Sequence, residues 1–249
     1  MDTPLVKRAY NLGLKAVPNF LALTEDQVAY YEVHLDELPS AIARGFVLPP
    51  PPAVILAPEQ TLDWWIVKAE EFSKKHLGVE INLRDRFVIP TDLPWDNVIP
   101  VFDPGSITNR DVIKKALKGL KLNVYEEVDV MKYAGAEAGK ESTLHFIENS
   151  VRPNKDSMNL SPNQLRETGK NYLRLRGYGL AMALYHFATR EYLDSETFTW
   201  FPEDRLPDGG VADGYWFPSY RKVGFYWGSP YDRYSSSGAR VAMPVPLRA

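Results

Sequence analysis

The 249-residue chain has no cysteine, only four histidines and no long apolar run. Without cysteine there is no disulfide framework, thiolate metal site, iron–sulfur cluster or cysteine nucleophile. No segment approaches the ~18 consecutive apolar residues of a membrane span. Behind Lys7 and Arg8, residues Asn11, Gly13 and Lys15 interrupt any stretch that would serve as a secretory signal. The expectation is a cytoplasmic protein with no membrane partner, although a particle component released by lysis is equally compatible. Charge of one sign is also lacking. With 29 basic and 32 acidic residues the net charge is −3, so no broad positive field draws the chain to duplex DNA. The Gly-x-Ser-x-Gly, His-Glu-x-x-His and Gly-x-Gly-x-x-Gly patterns are absent, as is a calcium loop. No cofactor and no metal is expected.

What is present is 45% hydrophobic and 24% charged, a globular composition able to bury a core without staples. Thr24-Glu25-Asp26-Gln27 forms a capping box ahead of Val28, Tyr31, Leu35 and Leu38, which predicts a helix over about 25–38 ended by Pro39. Pro49–Pro52 form a stiff connector. Beyond it, Val54–Leu56 reads as a strand. Leu62, Trp65, Ile66, Ala69 and Phe72 mark one helix face, with acids at its start, Lys74, Lys75 and His76 at its end and Gly78 as the stop. Alternation predicts strands at Val79–Leu83, Asn97–Phe102, Leu122–Met131 and Leu144–Ile147, with a helix after Thr108. Ser161-Pro162-Asn163-Gln164 is a second capping box with proline at the first helical position. The helical pattern after it runs to Phe187, with a kink or break expected at Gly177 and Gly179.

The tail from 198 onward holds 12 of the 31 aromatic residues, between turns at Gly209-Gly210 and Ser235–Gly238. Short antiparallel strands are predicted there. Together these elements indicate an α+β fold in three parts. Residues 1–52 form an N-terminal helical segment with the proline connector, and residues 53–150 an α/β unit. In residues 151–249 a long helix packs on a short-stranded, aromatic-rich antiparallel sheet.

Several constellations invite a chemical reading. As a strand, Glu32-Val-His34-Leu-Asp36 would align two carboxylates and an imidazole on one face. The capping box upstream makes it a helix, which swings His34 away. His145 and Glu148 fall on opposite faces of a strand. His76 suits a helix end, and His186 suits a core beside Phe187. Gly135-Ala-Glu-Ala-Gly139-Lys140-Glu141-Ser142 follows a strand as a phosphate loop would, but it is one residue short and carries two glutamates that repel phosphate. Arg166, Lys170 and Arg174 repeat every four residues, as on a solvated helix face or a phosphate-tracking stripe.

The aromatic tail remains. Segments 213–218 and 223–228 place rings on both faces of a strand, so one set fills a core and the other faces outward. The candidate binding residues are Trp216, Tyr220, Tyr226, Tyr231 and Arg221. Phe225 and Trp227 are expected on the side of the sheet opposite Tyr226. The sequence therefore predicts a non-enzymatic binding or assembly module engaging a protein partner, a second copy of itself, or a glycan. The alternative is a hydrolase or transferase whose histidines and carboxylates meet only in the fold.

Glu148-Asn-Ser, Leu160-Ser-Pro, Arg205-Leu-Pro-Asp-Gly209, Tyr226-Trp-Gly-Ser and the closing Ser237-Gly-Ala-Arg240-Val resemble the C-terminal half of a family of uncharacterised bacterial proteins. That resemblance spans about the last hundred residues and implies no activity, cofactor or site. The closing segment is also similar, more faintly, to the last strands of C-type-lectin-like folds, where turn-rich aromatic strands end in an Arg-Val step after a long helix. Disulfides and a Gly-Gly-Ser-Trp core are missing here.

Overall fold

The computed structural model describes residues 60–105, 109–127, 129–133 and 141–248. The predicted helix at 25–38, the prolines at 49–52, the strand at 54–56, the Thr108 cap, the Glu32/His34/Asp36 group and the glycine turn at 134–140 lie outside the described residues. The chain divides into two compact units, Met1–Pro58 and Glu59–Ala249. All described residues belong to the second.

Helix α1, Leu62–Phe72, begins where the Thr61 hydroxyl accepts from Trp64 N–H, and it buries Trp65, Ile66, Ala69 and Phe72. It widens into a π turn over Ser73–Leu77 that ends at Gly78, in the left-handed conformation at φ +72°. Lys115 donates to the Leu77 carbonyl at 2.6 Å, satisfying one terminal acceptor. The strand expected at Val79–Leu83 does not form. Asn82 caps a four-residue helix α2, Leu83–Arg86, by accepting from the N–H groups of Arg84 and Asp85. Leu83 is buried while Val79 and Ile81 are half-buried, so the alternating burial survives without a strand ladder.

Strand β1 is Val98–Asp103. Helix α3, Asn109–Gly119, buries Val112, Ile113, Ala116 and Leu117. Strand β2 is Asn123–Glu126, shorter than the predicted run to Met131. The Glu126 carboxylate accepts from Met131 N–H at 2.9 Å and starts a short helix α4, Val130–Tyr133. Strand β3 is Thr143–Glu148.

The predicted capping box is present: Ser161 accepts from Gln164 N–H, and the Gln164 side chain accepts from Ser161 N–H. Its helix α5 covers only Pro162–Glu167. The break lies after Thr168, at left-handed Gly169, and not at Gly177 and Gly179. Residues 171–173 leave helical geometry because they pair with the closing segment. Leu173 N–H donates to Arg240 O at 2.7 Å, and Ala242 N–H donates to Asn171 O at 2.9 Å. Helix α6, Leu175–Thr189, then contains both glycines. A Cβ on Gly179 would stand 2.7 Å from an Ile113 carbon, and one on Gly177 would stand 2.6 Å from Leu173. These glycines permit close packing.

The remaining strands are β4 (Phe198–Arg205), β5 (Val211–Phe217), β6 (Lys222–Gly228), β7 (Ser237–Gly238) and β8 (Ala242–Val245). One antiparallel sheet has the order β1-β3-β8, and the second has the order β2-β6-β5-β4-β7. In the second sheet β4, β5 and β6 are antiparallel as expected, whereas the edge strands β2 and β7 pair in parallel. The fold is α+β. Helix α6 is buried on nearly every side. It packs on α1, α3 and β1, and its Tyr178 meets Phe201 and Phe225 of the five-stranded sheet. One continuous core includes Trp65, Ile147, Ala183, Phe225 and Val245, so elements before and after residue 150 share it.

Candidate functional site

Strand alternation assigns each face of the five-stranded sheet. Val223 and Phe225 of β6, Gly214 and Trp216 of β5, and Phe201 of β4 belong to the side that packs on the core. The opposite set carries a row of rings. Tyr125 of β2 lies 5.2 Å from Tyr226, and Tyr226 lies 5.2 Å from Tyr215. Tyr215 contacts Phe217 at 4.4 Å and Phe198 at 6.3 Å, and Phe198 reaches Tyr234 at 5.5 Å. The row therefore crosses four strands. Its β4 end is covered by a small second core of Trp200, Leu165, Tyr172, Val211 and Ala239. Its β2 and β6 end is open, with Tyr125 40% exposed and Tyr220 66% exposed.

Lys222 belongs to this open end. Its ammonium stands 4.2 Å from the Tyr125 ring centre, 4.9 Å from Tyr220 and 5.5 Å from Phe217. Ring faces carry negative potential, so three rings around one ammonium offset part of its lost hydration.

Asp213 lies within the ring row. The strand registers set it directly opposite Trp200 on β4 and Tyr226 on β6, which places all three on one face. It is 6% exposed, and among the described residues its carboxyl has no hydrogen-bond donor and no cationic partner. Burial pushes its pKa up to about 8, helped by the nearby Glu127 carboxylate. The Tyr215 and Tyr226 rings stack on each other with their planes 25° apart. Tyr215 is raised most by burial and then by its neighbour Tyr226, with smaller contributions from Asp213 and Glu127. The Trp200 indole N–H has no acceptor among the described residues.

The residues named from sequence separate here. Tyr226 stands in the row. Tyr220 and Arg221 lie at its exposed end, with Arg221 left-handed at φ +47°. Tyr231 is 77% exposed, in the turn between β6 and β7. Trp216 is not part of this face. It is 4% exposed, and its ring stacks on Tyr192 at 3.7 Å with planes 3° apart. The reason is parity: 215 and 217 point outward, so 216 points inward. Phe225 lies opposite Tyr226, as its Tyr178 contact requires. Trp227 is 38% exposed and lies over Gly210, where a Cβ would meet its ring at 2.6 Å. Sequence reading missed Tyr125, Glu127 and Lys222 as members of the site. Tyr125-Glu126-Glu127 has the alternation of a strand, but only the parallel pairing of β2 with β6 brings it beside the aromatic tail.

The described histidines stay apart. His76 packs on Phe72 and Phe187, His145 lies on β3 opposite Val101 and Pro244, and His186 stacks on Tyr192. Burial lowers the pKa of all three. Among the described residues no three His, Asp or Glu side chains gather as metal ligands. No described helix is long and apolar enough to cross a membrane. The basic stripe does not share one helix face, and each member meets an acid. Arg166 of α5 pairs with Glu203 of β4, Lys170 of the break with Asp156, and Arg174, just before α6, with Asp204 of β4. Arg240, in the closing Ser-Gly-Ala-Arg-Val segment, is buried. It donates to the carbonyls of Ser150 and Val151 and to the Asp194 carboxylate at 2.8 Å.

No protein-family model, curated protein or solved structure matches the chain.

Proposed function

We propose that this protein is a binding module that engages a partner protein through the outer aromatic face of its five-stranded sheet. The observation that carries this reading is the ring row from Tyr125 through Tyr226 and Tyr215 to Phe217, open to solvent at the β2 and β6 end. At ~4.8 Å per strand the row extends ~14 Å from β2 to β4, the scale of an interface centre. Tyrosines flanked by Arg221 match the residue types that dominate binding energy at protein interfaces. A glycan would stack on the same rings and is the alternative outcome of the test.

The experiment retains partners from an extract of the source cells on immobilised full-length protein, beside a panel of polysaccharides. Tyr220→Ala and Tyr226→Ala are compared with wild type, with thermal melting measured for each. Loss of a specific protein with little change in melting supports the reading. Polysaccharide retention that both variants abolish would replace it with the glycan alternative. Unchanged retention in both variants would remove the face from the function.

A further inference from the structure

Among the described residues, the one charged group that acts on the Asp213 carboxyl is Glu127, and no cation pairs with it. Glu127 follows β2, Tyr226 lies on β6, Tyr215 lies on β5 and Tyr234 comes from the turn before β7, whereas Tyr178 of α6 lies across the sheet on its inner face. An ionised carboxylate in that setting lacks compensation. An anionic ligand would meet repulsion from Glu127. A cation bearing alkyl groups would meet the carboxylate and the ring faces together. Lys222 already holds an ammonium against three rings of the same face.

We propose that the outer face takes up an alkylammonium group against Asp213, and that on the partner protein this group is a lysine side chain. The inference rests on the protein-binding reading for its occupant, and on the Asp213 surroundings for the ammonium. In the free protein Asp213 carries a proton, because its pKa lies at about 8. The docking ammonium keeps its own proton and displaces the one on the carboxyl, which passes to solvent. One carboxylic acid and one ammonium become one ion pair and one released proton. Affinity then rises with pH as the carboxylate becomes available. Burial and, after it, repulsion from Glu127 set the midpoint, and Tyr226 and Trp200 supply the flanking rings.

The test titrates the full chain with n-butylammonium chloride, using n-butanol as the uncharged control, at pH 6 and pH 8. The amine stays protonated at both. The ionised fraction of a group at pKa ~8 rises from ~1% to ~50% over that interval, so the amine should bind up to ~50-fold more tightly at pH 8. Calorimetry in two buffers of different ionisation enthalpy should show close to one proton released per amine at pH 7. Asp213→Asn, which keeps the side-chain volume, should weaken amine binding and flatten its pH dependence. Glu127→Gln, nearer the surface, should move the midpoint to lower pH. Equal binding of amine and alcohol, a flat pH profile in wild type, or unchanged amine binding in Asp213→Asn would overturn the ammonium site. If the amine fails while Tyr226→Ala still loses the partner, the protein-binding reading stands alone. If the amine binds as expected and ring variants keep every partner, the ammonium site stands and its protein occupant falls.

Discussion

Arg240→Ala is the most informative perturbation of the fold. The Arg240 side chain is 2% exposed and the Asp194 side chain 0% exposed. The guanidinium closes three segments by donating to Ser150 O at 2.7 Å, Val151 O at 3.0 Å and Asp194 at 2.8 Å. Removing it leaves Asp194 with the hydroxyls of Thr197 and Thr199, at 2.9 and 2.7 Å, and no cation. An uncompensated buried charge costs about 3–5 kcal/mol, and each carbonyl that loses its donor adds about 1 kcal/mol. The expected loss is about 5 kcal/mol, a large part of the stability of an ordinary domain. It should appear as a lower urea midpoint by tryptophan fluorescence and by far-ultraviolet circular dichroism. The charge argument also has its own control. Arg240→Met combined with Asp194→Asn removes both charges, and asparagine tolerates the left-handed backbone at residue 194, φ +53°. This pair should be about 2 kcal/mol more stable than Arg240→Met alone. A cost below about 1 kcal/mol for Arg240→Ala, or a double variant as unstable as the sum of its parts, would refute the reasoning.

Asp213 keeps its proton to about pH 8 in the folded chain, against an ordinary carboxyl value of 3.8. Between those values the folded state binds more protons than the unfolded state. The contribution of Asp213 to stability is therefore full below about pH 4 and is lost as pH rises toward 8, by at most about 1.4 kcal/mol per pH unit. Asp213→Asn should gain stability relative to wild type across that window in urea titrations at stepped pH, and a pH-independent difference would contradict the sign. Trp216→Ala should cost about 3–5 kcal/mol, because it empties a buried site stacked on Tyr192. Trp227→Ala, from a ring 38% exposed, should cost about 1 kcal/mol; equal costs would show that the difference in burial is wrong. Ser161→Ala should cost about 1 kcal/mol through the lost cap, and Ser161→Asp should restore most of it, as thermal melting will show.

Local patterns were legible wherever neighbours in sequence are also neighbours in space. The face of α1, its stop at Gly78, the capping box at Ser161 and the alternation over Thr143–Glu148 all depend on contacts within a turn or along a strand. The same logic extended to the aromatic enrichment after residue 198 and to the α+β class.

Tertiary structure decided everything that required a distant partner. Residues 168–174 read as helix, yet they left it to pair with Arg240 and Ala242, some 70 residues away. Val79–Leu83 alternates like a strand, but no ladder accepts it and Asn82 caps a helix instead. Both rings of Tyr215-Trp216 suit a binding face. Strand parity and helix α6 bury Trp216 and turn Tyr215 outward. Tyr125 and Glu127 joined the site only because β2 pairs in parallel with β6. Asp213 is one aspartate among many in sequence, and its pKa of about 8 comes from burial across the strands beside Glu127. Propensity and capping are sums over adjacent residues, whereas burial and electrostatics depend on which remote surfaces meet. The elements were therefore written in the chain, and the site was made by the fold.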